Sequence, residues 1–280
     1  MQKIEKIEVM REAAGAQRQG GRRVALIPTL GALHAGHVSL IRLARTRGDA
    51  VIVSAFVNPL QFGPSEDLAR YPRTPAADAT VCAQENVDLL FTPTPEEMFP
   101  RGFSSLVLED AVSRNLCGVS RPSLFKGVLT CWLKLINITR PDVLIMGEKD
   151  AQQVAVVRKV ASDLLLPVEI VTGPTVRDPD GLAVSARNGY LSPGQREEAL
   201  AVYGALRRAK EMVEAGVRSP DRLVAEATHL IAQKRRLRVI YIAVVDRVTM
   251  EQMREVIPGQ CLLAMAFWVD EIRLTDNMPL

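Results

Sequence analysis

The chain has 280 residues, of which 48% are hydrophobic and 24% are charged, and these ordinary proportions exclude a chain dominated by disorder. Basic and acidic residues nearly balance, 35 against 32, so the net charge of +3 gives no reason to expect nucleic acid as a partner. The longest apolar run, residues 261–269, is too short to cross a bilayer, and we expect neither membrane insertion nor secretion.

Four cysteines are scattered along the chain, at positions 82, 117, 131 and 261. No two of them have the C-x-x-C spacing that is typical of a metal site or a redox motif. We therefore predict reduced thiols in a cytoplasmic protein, with no protein-bound metal.

Hydrophobic periodicity predicts that strands and helices alternate over the first 173 residues. Helices are predicted directly after the first strand, over 75–86 and over 125–139, and residues 103–110 are predicted to be an extended segment at a sheet edge or a subunit contact. The alternation is typical of a parallel, doubly wound α/β sheet. The strands are predicted at 24–27, 51–57, 87–91, 142–146 and 168–171.

The pattern changes after residue 173, where a Thr-Gly-Pro sequence is a natural boundary. We predict a first domain over 1–173 and a smaller, mixed α+β domain over 174–280. The second domain is predicted to contain helices over 193–216 and 220–234 and strands over 239–245, 261–269 and 272–275.

The most informative stretch is the loop after the first predicted strand, residues 28–41. Its glycines, Gly31 and Gly36, let the backbone approach a ligand closely. Such a turn points unpaired backbone N–H groups and the positive end of a helix dipole at one spot, which suits a phosphate. His34 and His37 are three residues apart, so both can reach the bound anion from one helix face. The alternative is that two histidines occur in a turn without a chemical role.

Asn58 and Gln61 follow the strand predicted at 51–57. Ligands of open parallel sheets lie beyond the carboxyl ends of the strands, so these two amides are placed to hydrogen-bond a small polar substrate. The alternative is a turn that caps itself.

A second cluster follows the strand predicted at 142–146. Gly147 permits close approach, Lys149 can bind phosphate, and Asp150 can accept hydrogen bonds from ribose hydroxyls. Gln153 lies three residues further along the next helix. The alternative is an ordinary charged helix N-terminus that Asp150 caps.

Ser185 and Arg187 lie in a short polar link, residues 184–190, at the start of the second domain. They could bind phosphate from that domain. Taken alone, a helix cap and a surface charge are the favoured interpretation of the two residues.

Together these clusters resemble the pantothenate synthetase (pantoate–β-alanine ligase) family, within the nucleotidyltransferases that carry an H-x-G-H motif. The resemblance covers essentially the whole chain. The matching segments are 28–41, 56–59, 61–64, 66–73, 116–118, 120–122, 147–153 and 180–191, with Arg273-Leu274 and Asp276-Asn277 near the C-terminus.

The resemblance implies a Rossmann-like domain with a small C-terminal lid, in a cytoplasmic homodimer. It implies that ATP with Mg²⁺ adenylates the carboxylate of pantoate and releases pyrophosphate. The amine of β-alanine then attacks the pantoyl-adenylate, which gives pantothenate and AMP. The partners it implies are small molecules, with no nucleic acid and no membrane.

The resemblance also implies roles for individual residues. The catalytic residues would be His37, His34, Lys149 and Arg187, and the residues that bind pantoate and β-alanine would be Gln61, Gln153 and Asn58. Asp150 would bind the ribose hydroxyls and Val176 would lie at the adenine. The ATP-binding residues would be Leu30, Gly31, Ala32, Leu33, His34, Ala35, Gly36, His37, Gly147, Glu148, Lys149, Asp150, Val176, Val184, Ser185, Ala186 and Arg187.

Several positions depart from the usual pattern of the family. It usually has Met where this chain has Leu30 and Val184, an acidic residue at Ala35 and Ser at Ala186. Loss of one charge-assisted contact to phosphate, as at Ala186, costs about 1.5–3 kcal/mol of binding.

A larger departure is in residues 121–125, where the family has R-P-G-H-F and this chain has Leu124 in place of the histidine. Leucine can neither donate nor accept a hydrogen bond. Residues 267–271 also differ from the small, glycine-containing stretch of the family.

The sequence is therefore consistent with three hypotheses about the function. The leading hypothesis is an active ATP-dependent ligase. A second is a related nucleotidyltransferase that acts on another small acid or on a phosphorylated alcohol. A third is an impaired or repurposed member, natural or engineered, that binds nucleotide or acts as an assembly scaffold through apolar surface at Leu124, Trp132, Phe267 and Trp268.

Overall fold

The computed structural model describes residues 1–64 and 66–280. These residues form nine strands: β1 (Gln2–Ile4), β2 (Val24–Thr29), β3 (Ala50–Ala55), β4 (Leu89–Phe91), β5 (Val143–Gly147), β6 (Glu169–Gly173), β7 (Leu237–Asp246), β8 (Cys261–Val269) and β9 (Ile272–Pro279). Their α-helices are α1 (Ile7–Gln19), α2 (Ala35–Arg45), α3 (Pro75–Gln84), α4 (Pro95–Met98), α5 (Cys117–Ser120), α6 (Leu124–Thr139), α7 (Ala151–Asp163), α8 (Pro193–Glu214) and α9 (Pro220–Ala232).

The chain divides into two compact units. Unit 1 comprises Met1–Glu109, Ser123–Glu148 and Val157–Pro174, and unit 2 comprises Asp110–Pro122, Lys149–Val156 and Thr175–Leu280. The domain boundary after residue 173 stays a prediction.

Unit 1 contains a six-stranded parallel sheet in the order β1-β4-β3-β2-β5-β6. The central strands β2 and β3 pair over six residues each, and their apolar runs are buried because neighbouring strands and packed helices cover them. Helix α2 packs on β2, β3, β5 and β6, whereas α1 and α6 pack against each other and against β2. The predicted parallel α/β fold is confirmed.

The strand order reverses at β2. From β2 the chain passes to β3 on one side, while β5 pairs with β2 on the other side. In open parallel sheets the crevice beyond the carboxyl ends of such a strand pair is the usual place for a ligand. The loop that carries His34 and His37 leaves the sheet at this point, because it follows β2 directly.

Unit 2 contains the antiparallel sheet β7-β8-β9. The chain from β8 to β9 turns at Asp270, and the two strands pair from Val269↔Ile272 to Leu262↔Pro279. Apolar residues of α8, α9 and the sheet form one core, with Leu206, Leu223 and Leu263 fully buried in it. This mixed α+β composition confirms the predicted character of the smaller domain.

Element boundaries differ from the predictions by a few residues. Strand β8 spans the predicted residues 261–269, whereas β7 and β9 are longer than predicted. Hydrophobic periodicity predicts no element before residue 24, where the structure has β1 and α1. Strand β1 has only three residues, two of them exposed, so it carries almost no hydrophobic pattern.

Residues 103–110 belong to no helix and to no strand. The segment is therefore not the edge of a sheet, and it contacts α6 where the backbone N–H of Val107 donates to Thr130 Oγ1 at 2.9 Å. Leu106 and Leu108 on the segment are exposed. None of the helices within the described ranges combines the length and the apolar character needed to span a membrane.

Candidate active site

The two histidines lie together at the start of α2. The His34 backbone is extended at the N-cap position, and its N–H donates to Nδ1 of His37 at 3.3 Å. The rings are stacked, with 4.0 Å between centroids and 27° between planes. Because Nδ1 of His37 accepts a hydrogen bond, a neutral His37 ring carries its proton on Nε2.

The loop before the histidines differs from the expectation of unpaired N–H groups. Gly31 N–H donates to Thr29 Oγ1 at 3.1 Å, and the N–H groups of Ala32 and Leu33 donate to the carboxylate of Asp78 at 3.1 and 2.8 Å. The backbone N–H groups of residues 31–34 are therefore all hydrogen-bonded, to Thr29, to Asp78 of α3 and to His37 of α2. The expectation of unpaired N–H groups was wrong at these residues because a carboxylate distant in sequence and groups of the loop and of α2 accept from them.

Each of the two glycines in this stretch is required for a different structural reason. Gly31 has φ of +79°, where other residues are strained, and a Cβ there would lie 3.0 Å from Asp78 Oδ2. A Cβ at Gly36 would lie 3.1 Å from the His34 ring. The small residues thus make room for Asp78 and His34, which fixes the shape of the loop.

Asn58 and Gln61 also lie together, in the turn that follows β3. Asn58 is fully buried, and its Oδ1 accepts from the N–H of Leu60 at 3.1 Å. Its Nδ2 donates to Gly127 O at 3.0 Å and to Gln61 Oε1 at 3.2 Å. Asn58 therefore makes the self-capped turn of the alternative interpretation and orients the amide of Gln61. Contact of either residue with a substrate stays a prediction.

The sheet brings three of the predicted segments to one edge. In the register of β2 and β3, Thr29 lies opposite Ala55. The loop of residues 30–34, called the histidine loop below, and the turn around Gln61 therefore leave the sheet side by side. Strand β5 lies on the other side of β2 and ends at Gly147, and Glu148 follows. The carboxyl edge of the sheet in unit 1 thus carries predicted residues from all three strands.

In unit 2, residues 176–184 form a small hairpin. Val184 N–H donates to Val176 O at 3.0 Å, which brings together two residues predicted to contact ATP. Burial raises the pKa of Asp180 in the hairpin turn, but the N–H of Leu182 and the guanidinium of Arg196 together lower that pKa below its usual value. The turn is therefore held from α8.

The hairpin leads into a single 3₁₀ turn, Ala186–Tyr190. Ser185 caps this turn, because its Oγ accepts from the N–H of Arg187 at 3.3 Å. Ser185, Ala186 and Arg187 are all partly exposed. The cap that the alternative interpretation describes is present, and contact of these residues with phosphate stays a prediction.

Lys149 and Asp150 form the 3₁₀ turn before α7 with Glu148. Lys149 Nζ lies 3.7 Å from Asp150 Oδ1, and Asp150 is exposed. Gln153 is partly buried on the first turn of α7. Lys149 and Ser185 line one small cavity of unit 2, together with Asn188, Tyr203, Phe267 and Asp276.

Sequence reasoning missed three side chains that hold these segments. Asp78 binds the histidine loop, Arg177 of the hairpin pairs with Asp276, and Gln152 binds the backbone at Val112, Asn115 and Cys117. A single acid inside a predicted helix gives no signal for Asp78. The C-terminal signature contained Asp276, and only the fold reveals its partner.

The positions that motivated the scaffold hypothesis are mostly buried. Leu124, Trp132 and Phe267 are 7%, 8% and 2% exposed, so they belong to the interior. Trp268 is partly exposed and lies beneath the guanidinium of Arg238, 6.0 Å from the ring centroid. These residues do not form an added apolar surface.

No group of three or more His, Cys, Asp or Glu side chains within the described residues is arranged to hold a metal ion. The four cysteines are free thiols.

A parallel sheet whose reversal point carries a glycine-rich loop and paired histidines places the protein in the class of Rossmann-like α/β enzymes. The family model described as pantoate-beta-alanine ligase matches residues 2–279. The chain therefore belongs to the pantoate–β-alanine ligase family.

Individual relatives agree with the family model. The chain is 45% identical over 278 residues to the pantothenate synthetase of Heliobacterium modesticaldum, with 99% of both chains covered. A pantothenate synthetase structure from Thermus thermophilus has a TM-score of 0.95 and 38% identity, covering 100% of this chain and 99% of that one. The pantoate-beta-alanine ligase from Francisella tularensis, complexed with beta-gamma ATP and beta-alanine, has a TM-score of 0.84 and 32% identity, covering 100% and 97%.

Proposed function

We propose that this chain catalyses the ATP-dependent ligation of pantoate with β-alanine to pantothenate. The family match over residues 2–279 supports the reaction. The observation in unit 1 that carries the proposal is the stacked pair His34 and His37, which lies where the strand order reverses. An anion bound there meets the start of α2, where a helix dipole favours negative charge.

The proposed reaction has two steps. A carboxylate oxygen of pantoate attacks the α-phosphorus of ATP, which forms pantoyl-adenylate and expels pyrophosphate. The amine of β-alanine then attacks the acyl carbon, loses a proton, and AMP leaves with the bonding electrons. Adenylation converts a poor acyl donor into a good one, and holding the amine beside it makes the second step nearly intramolecular.

The catalytic roles are proposed for His37, His34, Lys149 and Arg187. The proton that the neutral His37 ring carries on Nε2 is available to a phosphate oxygen on which negative charge increases. Lys149 and Arg187 supply positive charge to the phosphates. Gln61, which Asn58 orients, and Gln153 are proposed to bind pantoate, and Gln61 also β-alanine.

The remaining ATP contacts are proposed for residues 30–36, Gly147 to Asp150, Val176 and residues 184–186. Mg²⁺ is proposed to enter with ATP, since this ion is usually held by phosphate oxygens and water with few protein ligands. That manner of binding requires no cluster of carboxylates from the protein.

A cytoplasmic location and a homodimer are also proposed. Free thiols at all four cysteines suit a reducing compartment. The exposed leucines Leu106 and Leu108 on segment 103–110 suit a subunit contact. Residues 174–280 are proposed to act as the lid domain of the enzyme.

The test is pantoate-dependent exchange of labelled pyrophosphate into ATP, with Mg²⁺ and without β-alanine, because it isolates adenylation. Exchange that requires pantoate supports the proposal. Exchange that requires a different acid supports the related transferase instead. Folded protein that binds ATP and shows no exchange contradicts the proposal and supports an impaired member, which the burial of Leu124, Trp132 and Phe267 does not otherwise favour.

Two substitutions of His37 sharpen the test. His37→Asn keeps an acceptor near the Nδ1 position and removes the distant donor, whereas His37→Gln places an amide nitrogen near the Nε2 position. We expect His37→Asn to fold normally and lose exchange, and His37→Gln to retain more exchange than His37→Asn. Equal exchange by the wild type and His37→Asn would exclude His37 from catalysis.

A further inference from the structure

Two adjacent buried residues of β9, Asp276 and Asn277, bind two different segments of unit 2. Asp276 is 6% exposed and Asn277 is 7% exposed. Asp276 pairs with Arg177 of the hairpin, and Asn277 binds the backbone of Lys149. Both segments carry residues that are proposed to contact ATP.

The ion pair is bidentate. The two guanidinium nitrogens of Arg177 lie 2.6 and 2.9 Å from the two carboxylate oxygens of Asp276. Arg177 also donates to Gly181 O at 3.2 Å, and its guanidinium stacks 4.3 Å from the centre of the Tyr203 ring. A planar, bidentate and stacked arginine is fixed in direction as well as in position.

The same ion pair fixes the backbone of Asn277. Its N–H donates to Asp276 Oδ1 at 2.8 Å, and its carbonyl accepts from Arg177 at 3.4 Å. The Asn277 side chain is therefore attached to a backbone whose N–H and C=O groups are both hydrogen-bonded. Asn277 Nδ2 then donates to Lys149 O at 2.9 Å.

Lys149 lies at the start of a helical segment, in the 3₁₀ turn that leads directly into α7. The 3₁₀ turn Glu148–Asp150 has only three residues, and the ionic neighbour of the ammonium within the described part of unit 2 is an exposed aspartate 3.7 Å away. A lysine that stabilises phosphate charge must be held within a fraction of an ångström, since supporting contacts decide the precision of a site. The hydrogen bond from Asn277 fixes the carbonyl of Lys149, which is bonded to the Cα atom that carries the lysine side chain.

We propose that Asn277 is a positioning residue that acts on the reaction through Lys149, with the Asp276–Arg177 pair as its anchor. The proposal rests on the proposed function, in which Lys149 binds the phosphates. Asn277 itself touches no reacting atom in this proposal. Its amide sets the backbone position of the lysine.

The test is a double-substitution cycle on the exchange reaction. Asn277→Ala, Lys149→Ala and the double variant are compared with the wild type by kcat/KM for ATP. We expect Asn277→Ala to reduce kcat/KM about tenfold in the wild-type background and less than about twofold in the Lys149→Ala background, because residues that act through one another are not additive. An equal reduction in both backgrounds would overturn the proposal.

Gln195→Ala is the matched control. Gln195 is an equally buried amide of unit 2, 9% exposed, whose Nε2 donates to Asp270 at 2.9 Å at the start of α8. The Gln195→Ala substitution removes a comparable hydrogen bond at a position that does not contact Lys149. We expect its effect on kcat/KM to be the same in both backgrounds.

A second measurement does not depend on activity. Hydrogen–deuterium exchange of a peptide over residues 147–153 should be faster in Asn277→Ala than in the wild type, and unchanged in Gln195→Ala. If the wild type lacks pantoate-dependent exchange of pyrophosphate, the proposed function fails, yet the deuterium measurement still decides whether Asn277 holds this turn. Unchanged deuterium uptake in Asn277→Ala would overturn the positioning role in either case.

Discussion

A buried carboxylate shapes the backbone in front of the histidine pair. Asp78 of α3 is 4% exposed and accepts hydrogen bonds from Ala32, Leu33 and the hydroxyl of Thr74. Three donors satisfy a buried carboxylate that has no basic partner in these bonds. The conformation of the loop, including Gly31 at φ +79°, therefore depends on a residue 46 positions away from Ala32.

Asp78→Asn should weaken this arrangement. An asparagine has nearly the same shape, but its NH₂ group replaces one acceptor and faces backbone donors. We expect the free energy of unfolding to fall by about 1–3 kcal/mol and the adenylation rate to fall with it, because the histidines lose their fixed loop. Urea unfolding and pyrophosphate exchange measure the two effects.

Asp221→Asn is a suitable control for Asp78→Asn, since Asp221 lies exposed in the first turn of α9. Its substitution should change the unfolding free energy by less than about 0.5 kcal/mol. If Asp78→Asn were as mild as Asp221→Asn, the loop would not depend on the carboxylate.

At the scale of elements, helix α6 approaches the turn at residues 59–61 very closely. A Cβ built on Gly127 would lie 2.1 Å from Leu60 O and 2.6 Å from Gln61 N. The atoms in conflict belong to the backbone, which cannot rotate away. Glycine at 127 thus allows the helix to receive the hydrogen bond from Asn58 that holds the turn.

Gly127→Ala should displace this turn. We expect a loss of about 1–3 kcal/mol in unfolding free energy from overpacking and a raised KM for pantoate, because Gln61 moves with the turn. Gly15→Ala in α1 provides the contrast, since nothing lies within 4 Å of the added Cβ there. That substitution should stabilise the protein by about 0.5–1 kcal/mol. Chemical denaturation of both variants measures the two changes in unfolding free energy. A Gly127→Ala variant as stable as the wild type, with an unchanged KM for pantoate, would contradict the close approach of α6 to the turn.

Asp88 connects the starts of several strands. Its Oδ2 accepts from Val51 N–H at 2.8 Å, and its Oδ1 accepts from Arg22 at 3.0 Å, with Arg45 3.0 Å from Oδ2. Burial raises the pKa of Asp88, but these three partners together lower it below the ordinary value of 3.8. A carboxyl group whose pKa is lower in the folded state than in the unfolded state stabilises the protein at pH values above its ordinary pKa. This stabilisation is lost as the pH falls through the pKa of the folded state.

Asp88→Asn should therefore cost stability at pH 7 and cost less at pH 3. Both arginines keep their charge over this range, so the change reports the carboxylate. The measurement is the urea midpoint of wild type and variant at the two pH values. Asp163→Asn, which removes an exposed ion pair with Lys159, should change the urea midpoint only slightly at both pH values. A constant penalty for Asp88→Asn across pH would argue against the charge as its source.

Local patterns predicted much of this fold and several segments of the candidate site. The apolar runs of β2 and β3 and the turn with His34 and His37 are contiguous in sequence, so periodicity and spacing find them. Asp78 and the Arg177–Asp276 pair, by contrast, bind residues 45 to 99 positions away. A lone acid or arginine has no periodic signal, and its partner is defined only when the chain has folded.

At the scale of the whole molecule, each unit has a hydrophobic core of its own. Cys82 belongs to the core formed by β2, β3, α2 and neighbouring residues of unit 1, and Cys261 belongs to the core of unit 2. Cys131 is buried on α6, whereas Cys117 is partly exposed, with its Sγ 3.2 Å from Tyr241 Oη. Three of the four thiols are therefore natural probes of unfolding.

Thiol labelling should separate these positions. Burial raises the pKa of Cys82 and of Cys131 to about 12, and burial also raises the pKa of Cys261. Since the thiolate is the reactive form, the raised pKa leaves very little reactive Cys82 at pH 8 in the folded protein. We expect iodoacetamide to label Cys117 first, at least about tenfold faster than the other three, in the absence of denaturant.

Urea should then expose the protected thiols in groups. Cys82 and Cys131 report the unfolding of unit 1 and Cys261 that of unit 2, because a thiol inside a core reacts only when that core opens. Mass spectrometry after timed labelling at increasing urea gives a midpoint for each cysteine. Coincident midpoints mean that both cores unfold in one cooperative transition, and separated midpoints mean that the units unfold independently. Labelling of Cys82 as fast as Cys117 without urea would contradict the buried position of Cys82 in its core.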